Sequence, residues 1–281
     1  MKSNQKSVRP NRREFLAGSL GAFVGASLGP FRGSTNASAV PFVASSLAAG
    51  AAAIQRIVIE TDPGVDDALA ILLALRSPEL KVEAITPVAG NVPLDYTLPN
   101  ALRLVEIAGR TDVPVAAGAS HPLVRNLITA AHVHGNNGLA GVDFPPPRIK
   151  PVQETATEII RRMVRSSPGE ISIVAVGPLT NVALALRADP ELSGLLRSIV
   201  IMGRSLSGGN VTPAAEFNLY ADPEAARIVF DAGVSLTMVG LDVTRKVLFT
   251  PEHLKIVQAG TTPWGQAAAR IMGATIDRLD R

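Results

Sequence analysis

The chain has 281 residues, 27 Lys+Arg against 24 Asp+Glu, and no cysteine. With 47% hydrophobic and 18% charged residues it is too apolar for a disordered chain, and no run of 18 apolar residues reads as a membrane span. The absence of thiols excludes disulfide scaffolds, thiolate metal sites and cysteine nucleophiles, and the length suits one large domain better than two.

The first element in the chain reads as an address. Residues 1–39 carry Lys2, Lys6, Arg9, Arg12, Arg13 and Arg32 against Glu14 alone, so the formal charge of +3 belongs to them, and the remainder holds a slight excess of acid. Asn11-Arg12-Arg13-Glu14-Phe15-Leu16 leads a weakly apolar stretch to Leu28, and Asn36-Ala37-Ser38-Ala39 then offers small residues to a signal peptidase. A basic region, a short apolar region and an A-x-A site define a secretory signal. The paired arginines resemble the twin-arginine export signal of bacteria. A membrane anchor is the alternative, with Gly21, Gly25 and Gly29 spaced for a helix dimer. However, about 13 apolar residues fall short of the roughly 20 that span a bilayer. The expectation is a removable signal over 1–39, a flexible lead-in over 40–54, the twin-arginine machinery as a partner, and a periplasmic or secreted product.

From residue 55 onward, strands and helices alternate. Ile57–Ile59 is a short β-branched run, followed by a helical pattern over Val65–Arg76, a strand over Val82–Pro87 and a helix over Tyr96–Ala108. A third strand is predicted at Val113–Ala117, then a helix over Thr155–Arg165, a strand over Ile171–Val176 and a helix over Thr180–Arg187. Ser198–Met202 and Ser235–Leu241 read as strands flanking a helix at Pro223–Asp231, and Pro251–Gln258 and Pro263–Leu279 close the chain as helices. Near-continuously apolar strands separated by helices imply an α/β domain: an open, mostly parallel sheet with helices on both faces. In such sheets ligands bind beyond the carboxyl ends of the strands.

The residues after the first strand are unusual. Glu60-Thr61-Asp62-Pro63-Gly64-Val65-Asp66-Asp67 places four acids in eight positions between a buried strand and a helix. Pro63-Gly64 forces a tight turn that folds the carboxylates toward one point. Packed anions repel and call for a cation, and all-oxygen donors suit Ca²⁺ or Mg²⁺. An acidic first helical turn explains Asp66 or Asp67 alone, but not Asp62 ahead of the turn. A Walker loop and a dinucleotide glycine fingerprint are both absent. A metal phosphohydrolase lacks the Lys/Arg cluster a phosphate would need. His121 and His253 read as surface residues, and His132-x-His134 as a weak candidate for a metal pair on a strand.

The segment ETDPGVDDALAILLAL resembles the D-T-D-P-G-x-D-D-A-x-A-I signature of the inosine/uridine-preferring nucleoside hydrolases. Thr86-Pro-Val-Ala-Gly-Asn91, Pro114-Val-Ala-Ala-Gly118, Pro122-Leu-Val124, His132-Val-His134-Gly135 and Val176-Gly177-Pro178-Leu179-Thr180-Asn181 match in order. Met202-Gly203, Gly209-Asn210, Ala215-Glu216-Phe217-Asn218, Asp222-Pro223-Glu224-Ala225-Ala226 and Met238 through Thr244 complete the series, which runs from about Arg56 to the C-terminus.

This resemblance implies N-glycosidic hydrolysis of ribonucleosides to ribose and free base, with a Ca²⁺ ion at the sheet edge holding the attacking water. Asp62 and Asp67 would be carboxylate ligands and the carbonyl of Val176 a further one, with Asp62 also the general base. Asp66, Asn91, Asn210, Glu216 and Asn218 match residues that hold ribose hydroxyls; Met202 would pack near the sugar and His134 near the nucleobase. The family is usually homo-oligomeric, and no nucleic-acid partner is expected. Carboxylates around the sugar would stabilise an oxocarbenium-like transition state.

Two departures from the family pattern stand out. Arg204 follows Met202-Gly203 where the family usually has another glycine, so it is expected either to crowd the pocket or to swing to solvent. The chain ends at Arg281, whereas family members continue to a His-Asp-Pro element bearing a further Ca²⁺ ligand and a histidine near the leaving base. The expectation is a nucleoside hydrolase domain over 55–281 that lacks its C-terminal part, with activity low or absent unless another group completes the site. A non-catalytic ribose- or nucleoside-binding protein is the second reading.

Overall fold

The computed structural model describes residues 54–279. The expected signal over 1–39 and the lead-in, apart from Ile54, lie outside the described residues. In chain order the elements are β1 (Gln55–Thr61), α1 (Val65–Arg76), β2 (Leu80–Pro87), α2 (Leu94–Ile107), α3 (Ala131–His134), α4 (Ala156–Ser166), β3 (Ile171–Ala175) and α5 (Thr180–Ala188). They continue with α6 (Leu192–Leu195), β4 (Ser198–Met202), α7 (Phe217–Ala221), α8 (Pro223–Asp231), β5 (Leu236–Val239), α9 (Leu241–Thr244), α10 (Pro251–Gln258) and α11 (Pro263–Leu279).

The five strands form one sheet in the order β2-β1-β3-β4-β5, every pair parallel. Alternation along β1 feeds two cores, because successive side chains of a strand point to opposite faces. Ile57 and Ile59 pack with α1, α2 and α11 residues such as Ile71, Leu104 and Ile271. Val58 points the other way, into Ile160 of α4, Val182 of α5 and Val229 of α8. Each such fully buried aliphatic contributes about 1.5–3 kcal/mol. The expected open parallel sheet with helices on both faces is the architecture observed.

The strand expected at Val113–Ala117 is not one. Val115 makes a single parallel bridge to Ile85, with Ile85 donating to Pro114 O and Ala116 donating to Ile85 O, both at 3.0 Å. Pro114 has no N–H, so the ladder cannot continue. His132 and His134 lie on the one-turn helix α3, not on a strand.

Register brings the site together. Thr61 pairs with Pro87, Glu60 with Ala175, Ala175 with Ile201, and Met202 with Val239. Asp62, the Val88–Asn91 turn, Val176 and Met202 therefore emerge at one carboxyl edge of the sheet, where an α/β fold places its ligand.

Candidate active site

The turn after β1 carries the acids. Thr61 Oγ1 donates to Asp67 Oδ1 at 2.9 Å and Gly64 N–H donates to Asp67 Oδ2 at 3.1 Å, fixing Asp67 in the first turn of α1. From the end of β2, Asn91 N–H donates to Asp62 Oδ2 at 2.7 Å, and its side-chain amide donates to Asp67 Oδ2 at 3.0 Å and Asp62 O at 3.1 Å. Asn91 thus ties the two carboxylates together. The backbone crowds Asp62 from two sides. A Cβ at Gly177 would lie 2.7 Å from Asp62 Oδ1, and one at Gly90 would collide with Asp62 Oδ2.

Burial sets the electrostatics. Asp62 is fully buried; desolvation, then the charge of Asp67, pushes its pKa well above the usual carboxylate range. Desolvation, then the charge of Asp66, raises Asp67 to about 7. Asp62 Oδ1 and Asp66 Oδ1 are buried without a hydrogen-bond partner. The buried Asp62 and Asp67 carboxyls favour either bound protons or a cation. Hard oxygen donors with an orphaned carboxylate oxygen fit Ca²⁺ or Mg²⁺. Among the described residues, no three His, Asp or Glu side chains converge into a ready-made cage, so any such ion would also draw on backbone carbonyls.

A cleft of about 410 Å³ opens above these acids, lined on one side by Asp66, Asp67, Asn91, His134, Val176, Met202, Asn210, Glu216 and Asn218. Asp62 lies beneath this floor. The structure therefore gathers all the site residues named from the sequence at one place, nine on the cleft wall and one just under it. The Asn218 amide reaches Val176 O at 2.9 Å, Met202 O at 3.2 Å and Met202 Sδ at 3.4 Å, spanning the ends of β3 and β4. Glu216 caps α7 by accepting Leu219 N–H at 3.2 Å; burial lifts its pKa to about 7, partly offset by backbone N–H donors. Asn210 Oδ1 is a further buried acceptor with no partner.

His134 is buried, and desolvation lowers its pKa, so it is neutral. Its Nδ1 accepts Val65 N–H at 3.1 Å, which puts the proton on Nε2. Asp66 Oδ1 lies 3.6 Å from the same Nδ1. An Nδ1 that is already an acceptor has no proton to give, so this contact is not an ion pair. Arg204 is exposed and lies off the cleft, with φ at 62°. Of the two sequence expectations for it, the swing to solvent is what the structure shows.

The apolar part of the lining was not anticipated from the sequence. Leu69, Ala70 and Leu73 continue the face of α1 that carries Asp66, and with Val247, Leu248, Phe249, His253, Ile256 and Val257 around α10 they line the same cleft. His253 was expected at the surface; it is exposed but borders the cleft, held as Thr250 N–H donates to its Nδ1 at 3.1 Å. The Thr250-Pro251 helix start was visible in the sequence as a cap, but nothing in it aimed that helix at α1. A carboxylate floor and an apolar wall in one cleft suit a ligand with a polyol end and a flat, less polar end.

Comparison with known proteins is consistent with this geometry. Residues 57–280 match the family described as inosine-uridine preferring nucleoside hydrolase. The pyrimidine-specific ribonucleoside hydrolase RihA of Citrobacter koseri is 49% identical over 216 residues, covering 77% of this chain and 69% of that protein. Among solved structures, a plant nucleoside hydrolase, the PpNRh1 enzyme, superposes with a TM-score of 0.77 at 39% identity, covering 80% of this chain and 72% of that one. The purine-preferring ribonucleoside hydrolase of Gardnerella vaginalis gives the same TM-score of 0.77 at 35% identity, with coverage of 80% and 72%. The chain belongs to the inosine-uridine preferring nucleoside hydrolase family.

Proposed function

We propose that this cleft hydrolyses the N-glycosidic bond of ribonucleosides, releasing ribose and a free base. The observation that carries the reading is the convergence of Asp66, Asp67, Asn91, Asn210, Glu216 and Asn218 on one cleft, with Asp62 buried behind it and hydrogen-bonded to Asn91. A ribose needs several directional donors and acceptors, and asparagine supplies both. Asp62, Asp67 and the Val176 carbonyl would hold Ca²⁺. Such an ion neutralises paired carboxylates and acidifies water beside them. Asp62, once ionised, is placed to take a proton from the attacking water. Glu216 and Asp66 supply negative charge beside the ring, where positive charge develops as the C–N bond breaks. The departing base is placed against Leu69, Leu73 and Phe249, and neutral His134 lines the same cleft.

Release of ribose from uridine, cytidine and inosine, with Ca²⁺ and with EDTA, tests this reading. The likeness to a pyrimidine-specific relative makes uridine the first substrate and the purine-preferring relative makes inosine the second. Calcium-dependent turnover is the expected result. Nucleoside binding without turnover would assign the cleft to capture instead of catalysis.

We also infer that residues 1–39 direct twin-arginine export to the periplasm or beyond. Arg12→Lys with Arg13→Lys should retain the protein in the cytoplasm on fractionation. A homo-oligomer is the expected assembly. Light scattering of the purified protein would read the mass directly.

A further inference from the structure

Asn181 does not border the cleft, yet it is 1% exposed and uses its whole side-chain amide. It is the second residue of α5. Its Oδ1 accepts Ala119 N–H at 2.8 Å. Its Nδ2 donates to Glu60 Oε2 at 3.1 Å and lies 3.4 Å from the carbonyls of Thr86 and Pro87. One amide therefore joins β1, the end of β2 and the loop at Ala119. Gly118 leaves the space for it, since a Cβ there would collide with Asn181 Nδ2.

From Ala119 the connection runs to the carboxylates in short steps. Ala119 O accepts Ala89 N–H at 3.0 Å. Two residues on, Asn91 N–H reaches Asp62 and the Asn91 amide reaches Asp67. We propose that Asn181 is a positioning residue: it clamps Pro87 and Ala119 so that the Val88–Asn91 turn presents Asn91 to Asp62 and Asp67. Only an amide does this, because the site needs an acceptor for Ala119 and a donor for Glu60 and two carbonyls in a fixed fork. Leucine has the volume without the polarity, and aspartate has no donor and would set a second carboxylate against Glu60.

Thr180, its neighbour, supplies the control. It is equally buried, and its Oγ1 donates to Asp222 Oδ2 at 2.7 Å. Asp222 in turn caps α8 through Ala225 N–H and accepts Leu123 N–H. That network reaches the Ala119 segment only at Leu123, four residues further on, and none of these hydrogen bonds goes to the Val88–Asn91 turn. Thr180→Val therefore removes a buried hydrogen bond of similar kind while leaving the Asn181 contacts with Ala119, Glu60, Thr86 and Pro87 in place.

The proposal rests on the nucleoside hydrolase reading of the cleft, and the experiment separates the two. Wild type, Asn181→Ala and Thr180→Val are compared below their unfolding midpoints for Ca²⁺ affinity by calorimetry, for kcat and KM with uridine, and for amide hydrogen exchange at Ala89 and Asn91. Asn181→Ala is expected to weaken Ca²⁺ and lower kcat by about 10–100-fold, the range for residues that orient metal ligands from behind, with KM nearly unchanged. It should also speed exchange at Ala89 and Asn91. Thr180→Val should lower the midpoint only. If Asn181→Ala does not fold, Asn181→Ser carries the same comparison. Unchanged exchange at Ala89 and Asn91, or Ca²⁺ affinity no weaker than in Thr180→Val, overturns the role of Asn181. If wild type itself neither binds Ca²⁺ nor turns over, the functional reading fails, and exchange at the turn still decides the positioning role.

Discussion

At the polar end of the cleft and just beneath it, Asp67, Glu216 and Asp62 are buried, and each accepts a backbone hydrogen bond, from Gly64, Leu219 and Asn91 respectively. Toward the apolar end of the same cleft Leu73, Leu248 and Ile256 are 45%, 50% and 71% exposed. The floor places costly groups where burial opposes their charge, and it holds them there with Asn91, Thr61, crowding glycines and the Asn181 clamp. The wall is mostly apolar side chains held by packing, with His253 hydrogen-bonded to Thr250 among them. A region over-determined by directional bonds has one arrangement, and any single deletion leaves a buried group unmatched. A region held by non-directional contact tolerates change.

Substitutions can break that contrast, and the floor should give the largest effects. Asp62→Asn keeps the shape and the Asn91 contact but removes the base, so kcat should fall by about 10²–10⁴-fold in a ribose-release assay. An effect below tenfold would move the base elsewhere. Glu216→Gln keeps an acceptor for the α7 cap but loses charge-assisted bonding worth about 1.5–3 kcal/mol, so kcat/KM should fall by about 10–100-fold.

The pH dependence of the calcium-free protein comes next. Asp67 and Glu216 have folded pKa values raised to about 7, and Glu60 to about 8, all mainly by burial. Raised carboxylate values mean that the folded state binds more protons than the unfolded one. Their stabilising contribution is present at acid pH and is lost as pH rises through about 7 to 8. Thermal melts of the EDTA-treated protein should therefore fall between pH 5.5 and 8, and Ca²⁺ at pH 8 should restore several degrees. A melt independent of both pH and Ca²⁺ would show that the floor bears no unrelieved charge.

The wall should respond weakly. Leu73→Ser with Ile256→Ser should raise KM for uridine by less than about tenfold, within the range for a few apolar groups, and leave kcat unchanged. A fall in kcat comparable to Glu216→Gln would place the wall in the machinery and end the contrast. Smallest of all, Arg204→Gly should relieve a left-handed backbone position that disfavours side chains by about 1–2 kcal/mol. The midpoint should rise by a few degrees with turnover intact.

How legible each part was follows from the kind of interaction that builds it. Helices Val65–Arg76, Pro223–Asp231, Pro251–Gln258 and Pro263–Leu279 have the boundaries expected from periodicity and caps. Their ends are set locally by Pro63-Gly64, Asp222-Pro223 and Thr250-Pro251. Val113–Ala117 shows the limit: it has strand composition, but Pro114 interrupts the ladder and leaves one bridge. The one-turn helices α3, α6, α7 and α9 were too short to carry a period. Asn181 was legible as part of a motif but not as a clamp, since its partners lie 62 to 121 positions away.

By itself the sequence determined the alternation of strands and helices, the family, and the acids that fold back at Pro63-Gly64, because these depend on neighbours a few positions apart. Tertiary structure decided what faces what. Parallel register set Asp62, Asn91, Val176 and Met202 on one edge, and α10 was brought across from α1 to close an apolar wall. Burial then turned ordinary aspartates into groups that favour a proton or a cation. Burial and register are properties of the assembled sheet, and no local stretch of residues contains them.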